Sequence, residues 1–174
     1  MGFGLLLIIT ISGAYLSFRA PSEKEVLDGF AEAQRFYAEG AYDQAIDGYH
    51  DVSEVRSRVL DAQSLQVEVG EATYPVQEAA LYQVGNANRK LFADYRRFGD
   101  NADSEARRLE YADLADSALV RSARAFRRVI STASSVELRG QAFGRVIELY
   151  YDAGRYPDVI EVSAQLIDAF GDDP

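Results

Sequence analysis

Apolar side chains recur at helical spacing, every three or four residues, along most of this chain. Val26, Phe30, Ala33 and Tyr37 share one face of a run that Ser22 and Glu25 open as a capping box and Gly40 closes. Ala45, Ile46, Tyr49 and Val52 mark the inward face of a second run, expected to fade near Leu60. After Pro75 a long run carries Ala80, Val84, Ala87, Leu91, Tyr95 and Phe98 as far as a polar break at 96–101. A fourth, from about Asp103 to Ser131, puts Leu119, Ala123, Phe126 and Ile130 on one face and Arg121, Arg124 and Arg128 on another. Ser134 or Ser135 can cap a fifth helix bearing Leu138, Ala142, Val146, Leu149 and Tyr150, and Val159, Ile160, Leu166 and Ile167 belong to a sixth. The pattern predicts an all-α domain over 21–174.

Two stretches depart from it. Residues 2–18 contain no charge, and Arg19 ends the run. As a helix these residues would rise about 26 Å, slightly less than a hydrocarbon core of about 30 Å, with Tyr15 and Phe18 reaching the headgroup layer. We read residues 1–20 as a transmembrane anchor. A cleaved signal peptide is the rival, with Ser12-Gly13-Ala14 as a small-residue cleavage site, although no basic residue precedes the apolar run. Thr10 with Ala14, and Gly13 with Ser17, place small residues at the four-residue spacing that lets membrane helices approach closely. The second departure is 61–75, where Leu65, Val67 and Val69 alternate with polar residues before Gly70. A lone strand cannot satisfy its own edges, so this stretch is expected to be an extended loop or a segment lying against a partner.

The two ends of the domain repeat one another. Phe36-Tyr37-Ala38-Glu39-Gly40-Ala41-Tyr42-Asp43-Gln44-Ala45-Ile46 returns in type as Tyr150-Tyr151-Asp152-Ala153-Gly154-Arg155-Tyr156-Pro157-Asp158-Val159-Ile160. Aromatics close one helix, Gly supplies a left-handed turn at little cost, a Tyr follows two residues later, and an apolar run begins the next helix. This resembles the tetratricopeptide repeat (TPR), a helix–turn–helix unit of 34 residues with aromatic, Gly and Ala positions at set spacing. The resemblance covers 26–60 and 135–171 well and 76–131 loosely, where a repeat is degenerate or expanded and lacks the Gly-aromatic turn. Phe170-Gly171-Asp172-Asp173-Pro174 resembles the turn that leads into a further repeat. The resemblance implies a right-handed α-solenoid of about three helical hairpins. Its turn and packing residues would be Phe36, Gly40, Tyr42, Ala45, Tyr49, Tyr150, Gly154, Tyr156 and Ile160, with each turn Tyr wedged between the helices it joins. TPR arrays are interaction scaffolds.

Composition narrows the function further. A net charge of −10 argues against general nucleic-acid binding, which needs a basic surface to displace counterions. The charge is uneven: residues 1–88 carry a net −8, residues 89–145 a net +4 and residues 146–174 a net −6. The basic middle, including Arg121, Arg124 and Arg128, is either a docking feature for an acidic partner or a solvated helix face. There is no Cys, hence no disulfide and no thiolate metal site, and the single His50 has no second His. No Ser/His/Asp arrangement, HExxH, phosphate-cradling loop or CxxCH motif occurs, and Gly2-Phe3-Gly4 falls inside the apolar run. We therefore expect no enzyme activity, cofactor or metal. The expected role is a membrane-anchored scaffold, an accessory subunit of a larger membrane-protein complex, touching the bilayer through residues 2–18. The alternative is a freestanding TPR peptide receptor or chaperone-like protein. Either would sit at a bacterial inner membrane with a periplasmic domain.

Overall fold

A computed structural model describes residues 21–55 and 65–171. Within them the chain forms six helices and one β-hairpin: α1 Glu23–Ala38, α2 Tyr42–Ser53, β1 Gln66–Val69, β2 Ala72–Pro75, α3 Val76–Asp100, α4 Glu105–Thr132, α5 Val136–Asp152 and α6 Tyr156–Phe170. The protein is thus mostly helical. The strongest packing is always between helices consecutive in sequence, α1 on α2, α2 on α3, and so on to α6.

Several helix boundaries have a local cause. Ser22 and Glu25 form the expected capping box, the Ser22 Oγ accepting from Glu25 N at 3.3 Å and the Glu25 carboxylate accepting from Ser22 N at 2.6 Å. Ser104 and Ser135 cap α4 and α5 by accepting from Arg107 N and Leu138 N. The α1–α2 and α5–α6 turns are built alike. Gly40 has φ 78° and Gly154 φ 71°. At the first, Gly40 N donates to Tyr37 O at 3.2 Å and Ala41 N to Phe36 O at 2.9 Å. At the second, Gly154 N donates to Tyr151 O at 3.0 Å and Arg155 N to Tyr150 O at 2.8 Å. This pair of bonds is the Schellman motif, which satisfies the last carbonyls of a helix.

The core follows the helical stripes. Ala33, Ala45 and Tyr49 are fully buried between α1 and α2, with Phe30 against Tyr49 at a ring distance of 5.4 Å. Gly48 lies so close to Ala33 that an added Cβ would stand 3.0 Å from its Cβ. Between α3 and α4 the Phe126 ring lies over Gly85, where an added Cβ would meet it at 2.6 Å, and Tyr82 packs edge-on against Phe126 at 5.4 Å. Polar groups in this layer are paired: Ser122 Oγ donates to Gly85 O at 2.8 Å, Asn88 Nδ2 to Val84 O at 2.9 Å, and Arg121 Nε to Asn88 Oδ1 at 2.8 Å.

Two expectations are corrected here. Residues 66–75 are not a plain loop. They fold into an antiparallel hairpin with Gln66 opposite Pro75 and Val69 opposite Ala72. Gly70, at φ 67°, takes the first central position of the two-residue turn, where a type II′ geometry requires Gly. Leu65 and Tyr74 go into the core, and Leu65 O accepts from Val76 N at 2.9 Å, so the hairpin is welded to the start of α3. It also reaches α5, since Tyr74 Oη donates to Glu137 at 3.1 Å and accepts from Gln141 Nε2 at 2.9 Å. The second correction concerns α2, which stops at Ser53 and not near Leu60. Just beyond it Val55 N donates to Val52 O at 3.4 Å, and the side-chain amide of Gln77 donates to the Val55 carbonyl.

Candidate interaction surfaces

The turn and packing residues behave differently at the two ends. In the first hairpin Phe36 lies half-buried beneath the Arg35 guanidinium at 4.9 Å, and Tyr42 is half-buried edge-on to Tyr37 at 5.5 Å. Tyr49 donates to Gln34 Oε1 at 2.9 Å, and burial pushes its hydroxyl well above the ordinary tyrosine range. In the last hairpin Tyr150 is buried between the guanidinium groups of Arg155, at 5.0 Å, and Arg127, at 6.0 Å. Tyr156 and Ile160 do not take the places of Tyr42 and Ile46. Tyr156 is 58% exposed and stacks edge-on against the exposed Tyr151, and Ile160 is 71% exposed. The expected wedge is therefore absent at Tyr156. Tyr42 lies on a hairpin that α3 covers, whereas no described helix follows α6.

The arginine row of α4 does not act as a unit. Arg121, itself exposed, is tied down by its bond to the buried Asn88. Arg128 bridges to Glu54 at the end of α2 at 2.6 Å, and this bond holds the Glu54 carboxyl below its ordinary range. Arg124 makes neither bond. It lines a concavity of about 280 Å³ with Leu119, Val120, Arg127, Tyr150 and Arg155. A larger one, about 550 Å³, adjoins it and is floored by Phe92, Ala115 and Leu119 beneath Arg96 and Arg155.

A second polar surface joins α3 to α5 and was not anticipated. Glu148 accepts from Arg89 at 3.1 Å and from Arg145 at 2.8 Å, while Arg145 Nε also donates to the Tyr82 hydroxyl at 3.2 Å. These bonds hold the Arg145 guanidinium in its charged form, its pKa raised by Tyr82 first and Glu148 second. Arg96 reaches the Asp152 carbonyl. Beside this seam Lys90 and Arg97 flank an open concavity of about 440 Å³. The seam pairs residues 56 to 63 positions apart, and nothing in either local sequence announces the other.

Among the described residues no group of three His, Cys, Asp or Glu is placed to hold a metal ion, and no helix is long and apolar enough to cross a membrane. His50 is exposed. The anchor residues 2–18, with Thr10, Gly13, Ala14 and Ser17, lie outside the described residues. The fold and these surfaces define the class: a mostly helical protein of consecutive, sequence-adjacent hairpins with open polar and apolar faces. Compared with known proteins, the chain matches no family model, no curated protein and no solved structure.

Proposed function

We propose that this protein is a non-enzymatic, membrane-anchored scaffold of the TPR kind, an accessory subunit that steadies a larger membrane-protein complex. The observation that carries the reading is the recurrence of one turn. Gly40 and Gly154 stand at matched places in matched sequence, adopt the same left-handed conformation and close the same two hydrogen bonds. Two independent copies of so specific a device support a repeat architecture, and the packing of each helix on its sequence neighbour is what a right-handed solenoid of helix pairs requires. Such arrays leave long faces open, as α4 and α6 do here.

The uncharged run 2–18 would provide the membrane contact, with Thr10, Gly13, Ala14 and Ser17 packing against membrane subunits. The site of action would be a bacterial inner membrane with the helical domain in the periplasm. Nucleic acid is not among the partners, because the domain is acidic at both ends.

The open concavity lined by Lys90, Phe92 and Arg97 favours a second reading, a freestanding receptor for peptide segments. Gel filtration in mild detergent separates the two. An accessory subunit elutes with its complex in stoichiometric amount, whereas a receptor elutes alone. Protease treatment of intact spheroplasts tests the sidedness: digestion of the helical domain is expected, and full protection would contradict a periplasmic location.

A further inference from the structure

The α3–α4 hairpin is longer than the one that follows it, with 25 and 28 residues against 17 and 15 in α5 and α6. The α5–α6 turn therefore lies beside the middle of α4, and a trough opens there. Two adjoining concavities of about 550 and 280 Å³ make it up, sharing Leu119, Val120 and Arg155. Its walls are α3, α4 and the α5–α6 turn, each flanked on both sides by described residues. The helix that leaves the turn runs on for 15 residues, about 22 Å away from Arg155.

The floor of the trough is apolar. Phe92, Ala115, Leu119 and Tyr150 are buried in it, and Val120 stands open at the lip. The rim is cationic: Arg96, Arg124, Arg127 and Arg155 face a single lining carboxylate, Asp116. Arg155 also meets Asp158 at 2.8 Å, and Arg96 meets the Asp152 carbonyl. Arg124 and Arg127 have no ion pair or hydrogen bond among the described residues, whereas Arg97, Arg107, Arg108 and Arg128 on the same two helices each face a carboxylate. Arg127 rests only against the Tyr150 ring, at 6.0 Å, which steadies the guanidinium and leaves its donors open. Cations gathered around an apolar floor repel one another, and an anion seated among them removes that cost.

The shape and the surroundings decide the occupant. From Ala112 to Arg127 the α4 wall runs about 22 Å, the length of about seven extended residues. Nucleic acid and an anionic bilayer are disfavoured, because the chain outside this basic middle is acidic and its net charge is −10. We propose that the trough binds an acidic segment of a partner protein, an extended stretch in which Asp or Glu alternates with apolar residues. The proposal rests on the scaffold reading and names the chemistry of one of its soluble contacts. Alternation sends the apolar side chains of such a segment to one face and the carboxylates to the other. The first face covers Leu119, Val120 and Tyr150, and the second meets the arginine rim in charge-assisted hydrogen bonds.

Fluorescence anisotropy tests this on the full chain, held in nanodiscs of zwitterionic lipid. The probe is a fluorescein-labelled peptide of about seven alternating Glu and Leu residues, compared with the same peptide carrying Lys for Glu. The Glu/Leu peptide should bind on the order of tenfold more tightly than the Lys/Leu peptide, and less tightly as salt is added. Joint reversal, Arg124→Glu with Arg127→Glu, should weaken it on the order of tenfold without a change in melting temperature. Arg107→Glu with Arg108→Glu makes the same change of net charge on an exposed part of α4 outside the trough and should leave binding as it was. Absence of binding at millimolar peptide, or equal loss in the two reversals, would overturn the proposal. So would tighter binding of a DNA duplex or of phosphatidylglycerol vesicles through Arg124 and Arg127. Self-association of the parent chain that the Arg124/Arg127 reversal abolishes would make a second copy the occupant and overturn it too. The scaffold reading fails on a different result, elution apart from any complex, so the two failures are told apart.

Discussion

At the scale of single residues, three kinds of position govern this protein. The first is the left-handed glycine. At Gly40 and Gly154 an added Cβ would meet no atom within 4 Å, so the only cost of a side chain there is the conformation itself. Gly40→Val and Gly154→Val should each lose about 1–2 kcal/mol, read from chemical melts of the full chain. Equal stability in both variants would contradict the shared turn. The second kind is the ion pair between distant helices. Arg128 holds the Glu54 carboxyl below its ordinary pKa, and both side chains are about half exposed. A carboxylate whose folded pKa is depressed adds stability above its unfolded pKa and loses it as the pH falls through the folded one. Glu54→Gln should therefore cost a few tenths to about 1 kcal/mol at neutral pH, and the gap from the parent should close in strong acid. A gap that persists there would point to packing, not charge. The third kind is the exposed apolar residue, Ile160 above all. Its place on α6 could be read from sequence. Its exposure could not, because exposure depends on whether anything packs beyond α6.

At the scale of elements, what was legible was whatever a few neighbouring residues decide. The capping box at Ser22 and Glu25, the Gly40 and Gly154 turns, and the start of α5 at Ser135 all rest on bonds spanning no more than five positions. The hairpin was half legible. Leu65, Val67 and Val69 alternate as a strand does, but the returning strand, Ala72-Thr73-Tyr74-Pro75, is short and ends in a residue that cannot donate to a ladder. Its true anchor is tertiary. Tyr74 is 2% exposed and bonded to Glu137 and Gln141 on α5, so the hairpin braces the molecule across α3 and α5. Glu78 adds to that brace by accepting from the backbone of Ser134 at 2.8 Å and of Ser135 at 3.4 Å, which latches the α4–α5 turn to the start of α3. Tyr74→Ala should cost about 3–5 kcal/mol, and Tyr74→Phe, which keeps the ring and loses the hydroxyl, about 1 kcal/mol. Thermal melts that rank these two variants equally would show that the buried ring is not what fixes the hairpin. The early end of α2 was not legible in its own residues: the Val55 carbonyl just beyond it accepts from Gln77, 22 positions away.

At the scale of the whole molecule, adjoining helices offer surfaces of different character. The end helix α6 is apolar and acid-edged, the α4 flank is arginine-lined, and the α3–α5 seam is a network already satisfied from within. A scaffold works through such differences, because contacts that are weak alone become strong when one chain links them. Joining a membrane contact to a soluble one makes the second intramolecular, a gain on the order of 10²–10⁴ in avidity. The measurement that tests this most directly removes one of the two. With residues 1–20 deleted, the helical domain should keep its melting transition, since the core of the described residues, from Val26 to Val162, packs on itself. On the proposed scaffold reading, it should also fall away from the complex during detergent gel filtration, while the full chain should stay bound. A truncated domain that remains in full stoichiometric amount would contradict the linked-contact scaffold.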